Sequence, residues 1–355
     1  MVRKDIFTAI AVIACLAFTD GHTFGQTARI VPSPGPELEV SVFAGSGEPG
    51  TPDSRHRGMA DGIGTEARFW EPRGISSDGR NIYVPDRLGT VRKIALDSRT
   101  VTTLSKFPDG FDGPGGGSPD FQASWTDGSN LYVADRDLAV RKIVLSTGTL
   151  TTFAGKPGAS GSKDGVGPDA RFLYLLGIWG DGTSLFVTDT ANCTIRKIEL
   201  ATAEVSTFAG KSCGNSNSPR TSIVDGVGSA ARLANPSAIW GDGTSLYVTD
   251  SNTIRRIDIK TRAVRTIAGS KARGYVDARG KAARFYNLVG LWGDGTNLYV
   301  ADYSNGAIRK IALGSMNVTT VAGPNVMTPW GIWGDGINLY VSDPAGARIL
   351  KFVLR

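Results

Sequence analysis

The chain has 355 residues, 41% of them hydrophobic, and a formal net charge of +6 at pH 7. That length could hold two domains, but closed all-β folds of this size also occur as one. With two histidines in the whole sequence, a metal site built mainly of histidine is excluded and a Ser-His-Asp triad is not credible.

The first segment has the pattern of a secretory signal. A basic start at Arg3 and Lys4 precedes a nearly continuous apolar or small stretch over 6–18, which is too short to span a bilayer. We expect cleavage near residue 25 and therefore a secreted, periplasmic or cell-surface protein. Cys15 leaves an alternative open, because Val-Ile-Ala-Cys resembles a lipobox and would make this a lipoprotein. The apolar residues that follow Cys15 favour the ordinary signal.

Loss of residues 1–25 would remove two basic and two acidic residues, so the net charge would stay at 37 − 31 = +6. In an exported protein this balance favours an anionic polymer or an envelope surface as partner, unless it serves solubility alone. Nucleic acid is a poor candidate outside the cytoplasm. Cleavage would also remove His22 and leave His56 as the single histidine. We predict no catalytic residue, metal or cofactor.

One phrase occurs six times: a strand with a central aromatic residue that ends in aspartate and is followed by a short turn. The copies lie 41 to 61 residues apart and end at Asp86, Asp135, Asp189, Asp250, Asp302 and Asp343. A period in this range, with turn signals between short strands, predicts a radial repeat.

Each repeat contains four strand signals, which we call a, b, c and d. Strand a ends in Asp-Gly, the pair that a tight hairpin to strand b requires. Strand b is the phrase above, strand c carries basic residues, and strand d is rich in Thr and Val. The sixth repeat lacks strand d, which the segment at 40–45 supplies. We therefore predict an all-β, six-bladed β-propeller of four-stranded antiparallel blades over 40–355, closed by the N-terminal strand after a linker at 26–39.

The connections from strand d to the next strand a share a second motif, DGxGxxARFxxPxGI. It occurs at 61–75, 164–178 and 225–239, with a looser copy at 277–291. Together with the LYVAD and IRKI phrases it resembles the NHL-repeat propellers, especially the bacterial secreted ones. The resemblance implies mainly a scaffold, since members of that family bind protein, RNA or small ligands and only a few are enzymes.

Enzymes of similar fold allow more specific tests of whether this chain has an enzyme's active site. Amidating lyases use several histidines around zinc, which this chain lacks. Lactonase propellers gather acidic and amide side chains around calcium at the central channel. At the mouth of that channel we expect Arg73, Gln122, Leu176, Ser237, Val289 and Trp330. This ring has no carboxylate, which argues against a central calcium site. A lactonase-like hydrolase or lyase with an unrecognised carboxylate or calcium site is the alternative.

Residues that recur between blades are assigned to structure. Five tryptophans at one strand-a position should fill the wedges between blades: Trp125, Trp179, Trp240, Trp292 and Trp333. The aspartates that end strand b should each lock the b–c turn by bonding a strand-c arginine: Arg92, Arg141, Arg196, Arg255 and Arg309, with Leu350 in the sixth blade. The aspartates before Gly-x-Gly are interpreted as parts of turns rather than calcium ligands: Asp61, Asp164 and Asp225.

Two features break the repeat. Cys193 and Cys213 fall on one rim of blade 3, so we predict a disulfide between them. Binding specificity should lie in blade-specific residues on the face that carries the long d–a connections. The candidates are Arg55, His56, Arg57, Lys211, Arg220, Lys271 and Arg273.

These features favour an exported, monomeric, non-catalytic propeller that binds a protein or an anionic envelope polymer. A structural surface protein without a small ligand is a third interpretation, beside the enzyme alternative.

Overall fold

The computed structural model describes residues 38–46, 57–87, 89–107, 119–213, 223–324 and 328–354. The predicted signal and lipobox lie outside this part of the chain, as does the linker up to residue 37. Within the described ranges, 27 strands form six antiparallel sheets. No helix among these residues is long and apolar enough to cross a bilayer.

The strands follow the order of the repeats. The first is β1 (Val40–Gly45), which belongs to blade 6. Blade 1 contains β2 (Gly62–Ile63), β3 (Ser76–Ser77), β4 (Asn81–Asp86), β5 (Thr90–Ala95) and β6 (Thr100–Lys106). Blade 2 contains β7 (Phe121–Thr126), β8 (Asn130–Asp135), β9 (Ala139–Val144) and β10 (Leu150–Gly155). Blade 3 contains β11 (Gly165–Val166), β12 (Leu175–Gly180), β13 (Ser184–Asp189), β14 (Thr194–Glu199) and β15 (Glu204–Gly210).

The remaining blades repeat this arrangement. Blade 4 contains β16 (Gly226–Val227), β17 (Pro236–Gly241), β18 (Ser245–Asp250), β19 (Thr253–Asp258) and β20 (Ala263–Gly269). Blade 5 contains β21 (Leu288–Gly293), β22 (Asn297–Asp302), β23 (Ala307–Ala312) and β24 (Asn317–Ala322). Blade 6 contains β25 (Ile332–Gly334), β26 (Asn338–Asp343) and β27 (Arg348–Val353) with β1. Three-residue 3-10 turns lie at Gly64–Glu66, Gly167–Asp169, Thr190–Asn192, Gly228–Ala230, Gly280–Ala282 and Tyr303–Asn305.

The N-terminal strand closes the ring as predicted. β1 pairs antiparallel with β27, with Val40 opposite Phe352 and Gly45 opposite Arg348. Its side chains complete the cores on both sides, since Phe43 packs with Tyr340 of blade 6 and with residues of blade 1. The exchange covers an edge that β27 would otherwise expose.

Every blade contains the four predicted strands, and three blades add a fifth. In blades 1, 3 and 4 the d–a connection adds a two-residue fifth strand: β2, β11 and β16 pair with the outer strands β6, β15 and β20. The physical reason is edge protection, because the connection runs along the outermost strand and occupies its free backbone groups.

The tryptophans occupy the wedges between blades, as predicted. The ring of Trp179 stacks on Phe186 of its own blade, with centroids 6.1 Å apart. Its other neighbour is Gly241 of blade 4, where an added Cβ would lie 2.7–2.9 Å from the indole. The same relation holds for Trp125 with Gly180, for Trp240 with Gly293 and for Trp292 with Gly334. Close packing of a large ring on a glycine leaves no room for a side chain there.

The predicted Asp–Arg pairs form in blades 2 to 5, and each arginine also contacts a second aspartate. Arg196 is buried, and its Nη1 lies 2.9 Å from Asp189 Oδ2, while Nη2 contacts Asp164 from the d–a connection. Equivalent pairs are Arg141–Asp135, Arg255–Asp250 and Arg309–Asp302. In blade 1, Arg92 instead pairs with Asp61, at 2.8 Å.

The structure therefore corrects the interpretation of the aspartates before Gly-x-Gly as turn residues alone. Asp61, Asp164 and Asp225 each contact a buried strand-c arginine and a strand-d threonine, and Asp277 does the same in blade 5. They tie the connection to the blade. The neighbouring glycines still shape the turn: Gly167, for example, has φ 51°, a conformation that favours glycine.

The predicted disulfide is present. Cys193 follows the turn after β13, Cys213 lies three residues after β15, and their Cα atoms are 5.7 Å apart. The bond fixes the b–c turn of blade 3 to the start of the next d–a connection.

Candidate anion-binding site at the channel mouth

Strand direction gives the ring two different faces. The b–c turns and the d–a connections emerge on one face, which we call the loop face. The a–b and c–d turns emerge on the other, which we call the hairpin face. The a strands line the central channel, and at the loop face it opens into a cavity of about 60 Å³. Five of the six residues predicted for this mouth line the cavity: Gln122, Leu176, Ser237, Val289 and Trp330. The sixth, Arg73, places its guanidinium carbon 4.2 Å from the centroid of the Trp330 ring.

Around the mouth, blades 1 to 5 each present a pair of residues joined by a backbone hydrogen bond. The residue that begins the b–c turn donates its N–H to the carbonyl two positions before the mouth residue: Arg87 to Glu71, Arg136 to Asp120, Thr190 to Tyr174, Ser251 to Asn235 and Tyr303 to Asn287. Blades 1 and 2 thus place charged pairs where blades 3 to 5 place neutral ones. The backbone arrangement is the same in these five blades, but the chemistry of the paired residues differs.

In blade 1, Glu71 joins three arginines. Its Oε1 accepts from Arg57 at 3.0 Å, and its Oε2 accepts from Arg73 at 2.9 Å and Arg87 at 3.0 Å. Burial opposes ionisation of this carboxyl, but the hydrogen bond from Arg87 and the charges of Arg73, Arg87 and Arg57 outweigh it and lower the pKa of Glu71. Glu71 is therefore an anion that holds three cations together.

In blade 2, Asp120 plays the same part with two partners. Its Oδ1 accepts from Gln122 Nε2 at 2.6 Å, and its Oδ2 accepts from Arg136 Nη1 at 3.1 Å. The Arg136 guanidinium also lies 5.0 Å from the centroid of the Tyr174 ring in blade 3. We call Arg57, Arg73, Arg87 and Arg136, with Glu71 and Asp120, the mouth cluster.

The mouth cluster has an excess of positive charge, since four arginines face two carboxylates. Arg73 is only 9% exposed, and its Nε has no hydrogen-bond acceptor within the part of the chain that the structure describes. Burial lowers the pKa of Arg73, although the charges of Asp120 and Glu71 oppose this shift. A cation that is desolvated and incompletely paired is stabilised by an added anion.

The predicted binding residues separate into three groups. Arg57 belongs to the mouth cluster. Lys211, Lys271 and Arg273 are exposed on the loop face, where Arg273 lies over the Tyr286 ring at 5.4 Å; within the described residues none of them contacts the mouth cluster. Arg55, His56 and Arg220 lie outside the described residues.

The sequence reasoning missed Arg87 and Arg136 as site residues. The signal was visible, because only in blades 1 and 2 is the repeated aspartate followed by arginine. Their convergence with Arg73 required the geometry of neighbouring blades. Among the described residues, no three His, Cys, Asp or Glu side chains come together as metal ligands. Both mouth carboxylates are engaged with arginines.

Comparison with known proteins supports the same architecture. No protein-family model matches the chain. NHL repeat-containing protein 2 of Bos taurus is 28% identical over 284 residues, which cover 75% of this chain and 34% of that protein. The chain thus spans about a third of that relative's length.

Two solved structures show how widely this fold is used. An auxiliary nutrient binding protein from Bacteroides ovatus superposes with a TM-score of 0.65 at 13% identity, over 89% of this chain and 76% of that one. An inactive virginiamycin B lyase from Staphylococcus aureus with quinupristin gives 0.51 at 15% identity, over 80% and 95% of the two chains. Identities this low show the fold alone.

The six blades, their closure and the charged mouth define a six-bladed β-propeller with an asymmetric channel. With the DGxGxxARF, LYVAD and IRKI phrases and its match to NHL repeat-containing protein 2, the chain is similar to NHL-repeat proteins.

Proposed function

We propose that this protein is an exported, non-catalytic propeller that binds an anionic polymer of the cell envelope through its loop face. The observation that carries the proposal is the mouth cluster, where arginines exceed carboxylates at the centre of that face. Export rests on the signal pattern at residues 1–25.

Arginine suits this role because its planar guanidinium pairs with the oxygens of a carboxylate or phosphate through two parallel hydrogen bonds. A low-dielectric channel wall also strengthens the potential of charges at its mouth. Lys211, Lys271 and Arg273 add exposed cations on the same face, where they would contact a polymer that extends beyond the mouth.

A binding role is preferred to hydrolysis for a chemical reason. A carboxylate hydrolase needs an acid free to accept or donate a proton. Glu71 and Asp120, the two acids of the mouth cluster, are both held in hydrogen bonds by cations. Such carboxylates are suited to positioning arginines.

The test is co-sedimentation of the full chain with envelope fractions and with defined anionic polymers at low and physiological salt. Charge reversal at Arg57, Arg87 and Arg136 should abolish sedimentation, and binding to the wild type should weaken as salt rises. The matched control reverses Lys260 and Arg262, two exposed cations in the c–d turn of blade 4 on the hairpin face.

Equal sedimentation of the mouth variant and the wild type would contradict the proposal. Retention by a neutral protein partner, insensitive to salt and to the mouth variant, would contradict it in favour of a protein-binding scaffold.

A further inference from the structure

The mouth holds two guanidinium groups in fixed positions. Arg73 lies over the Trp330 ring and bonds Glu71, while Arg136 lies over the Tyr174 ring and bonds Asp120. Each is therefore supported by an aromatic face and oriented by a carboxylate. A guanidinium that is already immobilised loses little entropy when it binds a ligand.

These arginines retain unused hydrogen-bonding capacity. The Nε of Arg73 has no acceptor within the described residues. Arg87 and Arg136 are 45% and 42% exposed at their side chains, and their single ion pairs, to Glu71 and Asp120, leave N–H groups open to solvent. Arg87 and Arg136 thus offer several exposed donors to one added anionic group, while the Nε of Arg73 is buried.

The side of the mouth formed by blades 4 to 6 has a different chemistry. Asn235 and Asn287 are half-buried residues just before the a strands of blades 4 and 5, and their side-chain amides form no hydrogen bond within the described part of the chain. Tyr303 packs edge-on against Trp330, with centroids 5.5 Å apart. A side of the mouth that contains both amides and aromatic rings suits a ligand that has hydroxyl groups on an apolar ring.

We infer that the mouth binds a hexose unit bearing a single anionic substituent, with the anion toward Arg73, Arg87 and Arg136 and the ring toward Asn287, Tyr303 and Trp330. The inference rests on the proposed function and names the unit of the polymer that is recognised. None of these three arginines is among the residues that line the cavity of about 60 Å³, so the ligand lies at the rim of the channel rather than inside the cavity.

Isothermal titration calorimetry of the full chain separates the two halves of the ligand. The probes are trigalacturonate, glucose 6-phosphate, maltotriose as a neutral sugar and acetate as an anion without a ring. We expect one or both acidic sugars to bind at least about tenfold more tightly than maltotriose or acetate, since one charge-assisted hydrogen bond contributes about that factor. A preference between the two identifies the substituent as carboxylate or phosphate.

Substitutions at the mouth test where the anionic group and the sugar ring of the ligand bind. Arg87→Gln and Arg136→Gln should each weaken binding of the preferred acidic sugar about tenfold, and Asn287→Ala should weaken it without changing the affinity for acetate. Arg262→Gln on the hairpin face is the matched control and should leave all affinities unchanged. Because Arg87 and Arg136 are exposed, these variants should fold like the wild type.

Equal affinity for acetate and the acidic sugars, or acidic-sugar binding that survives both arginine variants, would overturn the inference. If polymer co-sedimentation still depends on the loop-face cations in that case, the proposed function stands and only the ligand unit is wrong. Absence of polymer binding by the wild type would instead refute the proposed function.

Discussion

Arg348 donates from its Nε to Asp343 Oδ2 at 3.0 Å, although it stands two residues before the position that carries the arginine in the other blades. That position is Leu350, which is buried in the apolar cluster between blades 5 and 6. Blade 6 thus reaches the same Asp–Arg contact from the first residue of β27. Blades 2 to 6 therefore all make an Asp–Arg contact at the b–c turn, and the strand position that supplies the arginine differs in blade 6.

This relationship predicts a large effect for Arg348→Met. Asp343 would remain buried beside an apolar side chain, and breaking such a pair by removing one partner costs about 3–5 kcal/mol. Equilibrium denaturation with guanidinium chloride should show this loss in the free energy of unfolding. Lys351→Met, on the same strand but partly exposed, is the control and should change stability by less than about 0.5 kcal/mol. Equal effects of the two variants would contradict the claim that the Arg348–Asp343 pair stabilises the fold.

The wedge packing predicts the effect of Gly241→Ala. The added methyl group would lie 2.7–2.9 Å from the Trp179 ring, and forcing an extra methylene into a packed core costs about 1–3 kcal/mol. Gly314→Ala is the matched control, since nothing lies within 4 Å of its added Cβ. Thermal unfolding of both variants provides the comparison. A Gly241 variant as stable as the Gly314 variant would show that the indole moves without cost.

The disulfide predicts a loss of stability on reduction. Cys193 and Cys213 are separated by 20 residues, and closing a loop of this length stabilises a fold by about 3 kcal/mol in the chain-entropy model. Cys213→Ser should lower the free energy of unfolding by about that amount, and reductant should have the same effect on the wild type only. Alkylation of the unreduced, unfolded protein followed by intact-mass analysis should leave both cysteines unlabelled. Labelling of Cys193 and Cys213 would mean that the bond does not form.

The aspartates in the a–b turns should account for part of the loss of stability at low pH. Burial raises the pKa of Asp294, but hydrogen bonds from Asn297 and Thr296 outweigh it and lower the pKa to about 2, against about 3.9 when unfolded. Because the folded-state pKa is depressed, this stabilisation is present above about pH 4 and is lost as the pH falls toward 2.

The test of that shift is the pH dependence of stability in Asp294→Asn. Asparagine keeps the turn-forming oxygen but does not titrate, so the variant should lose less stability than the wild type between pH 5 and pH 2. Asp258→Asn gives a comparison at an exposed turn, where hydrogen bonds from Thr261 also lower the pKa of the carboxyl. An identical acid response in the Asp294 variant and the wild type would contradict the assignment.

Much of this architecture could be predicted from the sequence, because the same local pattern of residues recurs six times. The aromatic strands, the Asp-Gly turns and the segment at 40–45 predict blade number and closure, and the positions of Cys193 and Cys213 predict their bond. The fifth strands could not be predicted, since two residues such as Gly62 and Ile63 are too few to show a periodic pattern. The mouth cluster could be predicted only in part. Arg57 and Arg73 were predicted from the sequence, but their shared contact with Glu71 depends on how the d–a connection folds back over its blade.

The arginines at the channel mouth are proposed to bind an anion. A crystal structure of the full chain with trigalacturonate or glucose 6-phosphate, whichever binds more tightly, tests it most directly. The anionic group should lie within hydrogen-bonding distance of at least two of Arg73, Arg87 and Arg136, with the sugar ring beside Asn287 and Trp330. A ligand bound on the hairpin face, or a mouth left empty at saturating ligand, would contradict it.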